Sequence, residues 1–183
     1  MGRRPQPEIK ERLLDACTDH ALEQGLPDRL EPLAAAAGTS ARMLIYHFGT
    51  RDRLLRAVLE RARERQLTAF GDLLRVRPGE AYTVTLTKAW AFITGSEGQP
   101  YLRMFGQFRE SAAVRLVPGF RRVATTDWLG PIEEGLRGIG RPELATLVLA
   151  VIRGLLMDLD ATADNARTDR AFALFVDTLD QTR

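Results

Sequence analysis

Apolar residues recur at three- and four-residue spacing along almost the whole chain, and nowhere do β-branched residues alternate between turns as strands require. Residues 7–24 set Ile9, Leu13, Ala16, Cys17, His20 and Ala21 on one face, with Glu8, Glu11, Asp15, Asp19 and Glu23 mostly outside. Gly25 is the natural stop. A short helix from Leu30 to Ala37 accommodates Pro32 only because it lies in the first turn. Gly38 ends that helix, Thr39 or Ser40 caps the following one, and Gly49-Thr50 closes it. Thr50 then caps a long helix from Arg51 to about Arg75, marked by Leu54, Leu55, Val58, Leu59, Ala62, Leu67, Phe70, Leu73 and Leu74. Beyond Pro78-Gly79, helices are predicted over 80–95, 99–114, 119–138, 142–162 and 166–182. Their breaks are Gly95–Gly98, Pro118-Gly119, Gly138–Gly140 and Ala163–Asn165. The expected fold is all-α, about nine helices: a three-helix head, a long connecting helix and a larger body. The expected division is a head domain over 1–52 and a body domain over 53–183.

Within the head, LAAAAGTSARMLIYHFGTR (33–51) has the layout of a helix-turn-helix. Small alanines let two helices approach closely across Gly38, while Leu44, Phe48 and Ile45 anchor the second helix. Thr39, Ser40, Ala41, Arg42, Met43, Tyr46 and His47 are left on or near its outer side. A helix N-terminus bearing hydroxyls and an arginine suits the major groove, where Arg42 can pair bidentately with guanine. Tyr46 and His47 can donate to phosphate, and Arg51 extends that row. Taken singly, Tyr46 and His47 also fit a hydrogen-bonded helix end, and Arg51 a solvated charge; the combination favours DNA. Gly2-Arg3-Arg4 adds cations able to reach a phosphate or a minor groove.

The segments LLDACTDHALEQG, LAAAAGTS and MLIYHFGTRDRLL, roughly the first third of the chain, resemble the head of bacterial TetR-family transcriptional regulators. The family's threonine-leucine-tyrosine, any residue, histidine-phenylalanine block is met here by Met43 to Phe48, with Ile45 at the tyrosine position and Tyr46 one place later. Arg42 stands where a small residue is usual, Arg51 where a lysine commonly grips phosphate, and Asp28-Arg29 and Ala21 also depart from the pattern. The resemblance implies phosphate contacts at His47 and Arg51, a near-palindromic double-stranded DNA operator, a homodimer and an inducer held in the body.

The body holds most of the aromatic residues. Phe70, Trp90, Met104, Phe105, Phe108 and Trp128 are the expected lining of a mostly apolar ligand cavity, although each also fits ordinary core packing. The unidentified effector is accordingly expected to be hydrophobic or aromatic. Leu144 to Leu159 leaves no polar face wide enough for solvent, and the last helix is apolar on more than one side. A chain of this size cannot surround such a helix alone, so a second copy is expected to. The expected interface is Leu144, Val148, Val151, Ile152, Leu155, Leu159, Phe172, Phe175 and Leu179.

Composition narrows the function. The net charge of +2 is no basic footprint by itself, so any preference for an anionic partner must come from charge placement. One cysteine and two histidines argue against a disulfide framework and a metal site, and the glycines at 135, 138 and 140 are misordered for a dinucleotide fingerprint. No enzyme activity, cofactor or metal is expected. No apolar run approaches a membrane span, and the chain is expected to be cytoplasmic. The alternative is a dimeric helical ligand-binding protein without DNA binding.

Overall fold

The computed structural model describes residues 7–110 and 115–181. Among them are nine α-helices and no strand: α1 (Pro7–Gln24), α2 (Glu31–Ala36), α3 (Ala41–Phe48), α4 (Arg51–Leu73), α5 (Tyr82–Thr94), α6 (Gln99–Glu110), α7 (Phe120–Arg137), α8 (Ala145–Thr162) and α9 (Asn165–Gln181). The all-α expectation holds, and the glycine and proline punctuation lies between helices as read from sequence. The last four residues of the expected 99–114 helix, and Gly2-Arg3-Arg4, lie outside the described residues. A 3₁₀ turn, Pro142–Leu144, leads into α8. That helix ends at Ala163 in the left-handed region (φ 53°), after which the Asp164 carboxylate accepts from the Arg167 amide at 3.0 Å and starts α9. No helix among the described residues is long and apolar enough to cross a membrane.

Packing groups the chain into two compact units. One compact unit comprises Met1–Leu67 with Pro100–Phe120, the other Thr68–Gln99 with Arg121–Arg183. In the first, α1 packs on α2 and α3, and Leu13, Cys17, Leu33, Leu44, Leu54, Leu55, Val58 and Leu59 are buried. The same unit carries a ladder of charges. On α1, Glu11, Asp15 and Asp19 recur every turn; on α4, so do Arg61 and Arg65. Arg61 bonds Glu11 and Asp15, while Arg65 bonds Asp15 at 2.7 Å and Asp19 at 2.6 Å. Met104 is buried in this unit, and Phe105 stacks on Phe120 with ring centroids 5.6 Å apart.

In the second unit α5 and α8 each pack against α9. The core gathers Leu86, Trp90, Ile132, Leu136, Val148, Leu149, Ile152, Phe172 and Val176. Tyr82 fills the space over Gly135, where a Cβ would come within 2.0 Å of its ring. Its hydroxyl donates to the Pro131 carbonyl at 3.3 Å.

Candidate nucleic-acid interface

The turn before α3 is set by Gly38 (φ 62°), a conformation that costs glycine little, and by the Thr39 amide bonding the Ala34 carbonyl at 2.9 Å. Of the two expected caps, Ser40 is the one used: extended, with its hydroxyl accepting from the Met43 amide at 3.3 Å. The helix ends where Gly49 (φ 86°) returns its amide to the Ile45 carbonyl. Thr50 caps α4 as expected, accepting from the Arg53 amide at 3.2 Å.

This short helix has a clear inside and outside. Leu44 and Phe48 are buried and Ile45 half-buried, which anchors α3 in the head. Ser40, Arg42, Met43 and Tyr46 are exposed, Tyr46 by half, and Thr39, Ala41 and His47 are partly so. The His47 and Tyr46 rings meet edge to face, centroids 5.1 Å apart. Among the described residues His47 Nδ1 is buried without a hydrogen-bond partner. Arg51 is steadied by the Pro27 carbonyl at 3.4 Å and lies 3.7 Å from Asp52. The helix-turn-helix thus brings together all eight residues expected to meet DNA, on α3, the turn before it and the first residue of α4.

The expected ligand residues come from both compact units. Phe70 packs against Trp128 (centroids 6.0 Å) and edge-on to Phe92 (5.6 Å) in the second unit. Trp90, in the same unit, is otherwise engaged: it stacks on Phe172 at 4.6 Å, and its indole N–H donates to Asp169 at 2.7 Å. Met104 and Phe105 belong to the first unit. Phe108 is on α6, with its side chain outside the described residues. Phe92 was not placed in that lining from sequence; it lies in a different helix from Phe70, across the Pro78-Gly79 break, and leaves no local signal.

The chain itself covers the expected pairing residues to different degrees. Val148, Ile152, Leu159, Phe172 and Leu179 are buried in its own core. Leu144, Val151, Leu155 and Phe175 are only partly covered. The apolar side chains actually turned outward are Leu147 and Met157 on α8 and Leu174 on α9, exposed by 50%, 66% and 68%. Between the first two, Ala150 and Gly154 are also exposed, so one continuous stripe of α8 is apolar or small and uncovered.

The assembled backbone can be set beside known structures. A transcriptional regulator from Rhodococcus sp. Rha1 matches with a TM-score of 0.75 at 22% identity, over 94% of this chain and 96% of its own. The TetR-family regulator from Cytophaga hutchinsonii matches with a TM-score of 0.67 at 12% identity, over 97% and 98%. The fold is that of TetR-family regulators. A TetR-like regulator from Rhodococcus sp. RHA1 adds a third match (TM-score 0.60, 21% identity, 97% and 96% coverage). At these identities the likeness is one of fold. No protein-family model matches the sequence, and no curated protein matches it. The TetR-like fold covers the body as well as the head, although only the head carries motifs in the sequence.

Proposed function

We propose that this chain is a sequence-specific DNA-binding transcriptional regulator acting as a homodimer, a repressor released from its operator by a small hydrophobic or aromatic molecule, and not an enzyme. The observation that carries the reading is α3: capped by Ser40, anchored by Leu44 and Phe48, and exposing Arg42, Met43 and Tyr46. In this reading residues 1–52 bind DNA and 53–183 pair the subunits and hold the effector. Thr39, Ser40, Ala41, Arg42 and Met43 enter the major groove, Arg42 reading guanine, while Tyr46, His47 and Arg51 hold phosphates. Subunits pair through α8 and α9, along Leu147, Met157 and Leu174 together with the partly covered Val151, Leu155 and Phe175. The effector contacts the Phe70–Phe92–Trp128 aromatic group, whose ring faces suit a flat apolar molecule.

Two recognition helices in a symmetric dimer read half-sites about 34–36 Å apart, or a multiple of that, so the operator is a near-palindrome. Selection from random duplexes tests this. An enriched palindrome with that spacing supports it, and a pool that returns no enriched sequence sinks it. Release requires an effector that prefers the state with low DNA affinity, and the coupling is reciprocal: operator DNA lowers effector affinity by the factor the effector lowers DNA affinity.

A further inference from the structure

We infer that Lys10 and Arg53 form a second set of phosphate contacts at the C-terminal corner of α3, separate from the base-reading N-terminal end. The inference rests on the DNA-binding reading above and extends its footprint to two residues outside the helix-turn-helix motif. Lys10, in the first turn of α1, places its ammonium 5.4 Å from the centroid of the Phe48 ring, the last residue of α3. Arg53, in the first turn of α4, lays its guanidinium against Gly49: a Cβ there would lie 3.3 Å from Nη1. Two helices therefore each bring a cation to neighbouring residues, Phe48 and Gly49, directly after His47.

The charge balance around this corner supports a partner from outside. Of the carboxylates on α1, Glu11, Asp15 and Asp19 are engaged by Arg61 and Arg65 of α4. Asp52, the acid beside Arg53, lies nearest Arg51. Lys10 and Arg53 are exposed, and neither has a carboxylate in ion-pair range among the described residues. Glu11, Asp15 and Asp19 are thus neutralised internally, while Lys10 and Arg53 keep their field for an incoming polyanion. The aromatic face holds Lys10 in position without neutralising it, which lowers the ordering cost when it meets a phosphate. Spaced away from Arg42, the pair touches backbone and carries no sequence information.

A merely structural role is the competing account, since cations at a helix C-terminus offset its dipole. Salt dependence separates the two. Binding of the full-length dimer to its selected duplex and to an unrelated duplex is measured by fluorescence anisotropy from about 50 to 200 mM KCl. Lys10→Gln and Arg53→Gln should each flatten the slope of log K against log salt by about 0.9, and the double variant by about 1.8. Both duplexes should weaken by the same factor, and Lys10→Arg should restore the slope. Arg75→Gln, a charge loss just beyond the far end of α4, should leave it unchanged. Arg53→Gln keeps the test independent of the Phe48 contact should Lys10→Gln disturb the head. A double variant with the wild-type slope overturns this inference and leaves the DNA-binding reading standing, as does a loss confined to the selected duplex. A wild-type protein without salt-dependent binding to either duplex overturns both.

Discussion

Gly135→Ala is the sharpest test of packing in the second unit. The added Cβ would lie 2.0 Å from Cε2 and Cζ of Tyr82 and 2.4 Å from Cε1, whereas carbon atoms rest at about 3.5–4.0 Å. The ring must therefore shift by roughly 1.5–2 Å, and at 4% exposure within the cluster of Leu86, Ile132 and Leu136 it has no free direction. Forcing it to stay costs about 1–3 kcal/mol of overpacking. Expelling it forfeits about 1.5–3 kcal/mol of burial, plus about 1 kcal/mol for the hydrogen bond to Pro131. Alanine returns only about 0.5–1 kcal/mol of helix preference over glycine. Strain wins, with a net loss of about 1 kcal/mol and at most about 2.5 kcal/mol, or roughly 2–10 °C in Tm for a chain of this length. The assay is urea and thermal unfolding followed by circular dichroism at fixed protein concentration, because dimerisation shifts the apparent midpoint. Gly71→Ala in α4 is the matched comparison: nothing lies within 4 Å of its added Cβ, so it should gain about 0.5–1 kcal/mol. Trimming the ring with Tyr82→Leu should relieve the clash, giving a double-mutant coupling of about 1–2 kcal/mol. If Gly135→Ala is as stable as wild type, the described contact between Tyr82 and Gly135 is wrong.

Met157→Glu, and separately Leu174→Glu, should convert dimer to monomer in analytical ultracentrifugation without loss of helix signal, because an unpaired charge in an apolar contact costs about 3–5 kcal/mol; an unchanged dimer would place the partner elsewhere. Burial pushes the Cys17 thiol up to about 11. The thiol therefore stays protonated in the fold at pH 8, and iodoacetamide should label it only after denaturant is added. Above pH 9 the sign is unfavourable: the unfolded chain loses this proton first, so its contribution to stability declines from about pH 9 towards pH 11, measurable as a urea midpoint that falls more steeply over that range than in Cys17→Ala. Ser40→Ala should cost about 1 kcal/mol of stability by removing the cap on α3, read from the same unfolding curves.

Helix positions were legible because glycine and proline mark nearly every break, and the head was legible because its turn, cap and anchors are all local in sequence. The outward apolar face of α8 was not. On α8 both Val148, which enters the core, and Leu147, which does not, are large and apolar, so periodicity reveals a buried helix without saying which side its own chain covers. Trp90 shows another limit. Its stacking on Phe172 and its bond to Asp169, 79 residues away, are tertiary facts that leave no trace in either segment's pattern. Likewise the grouping of Pro100–Phe120 with the head depends on packing between segments far apart in the chain. The outward stripe of Leu147, Ala150, Gly154 and Met157 had a signal after all: a three-and-four spacing offset by one residue from the core face, visible once that face is known.

The charge ladder between α1 and α4 has a mechanical consequence. Its carboxylates and guanidiniums both repeat every four residues, a rise of about 6 Å, and run in the same direction along the two helices. Sliding α4 by half that distance would set each guanidinium opposite a single carboxylate, trading two partners for one. Sliding it by the full distance towards Asp19 would seat Arg61 between Asp15 and Asp19, where Arg65 sits now. The contact therefore behaves as a set of detents: small displacements are resisted, and axial movement of the long helix against the head proceeds by whole notches or not at all.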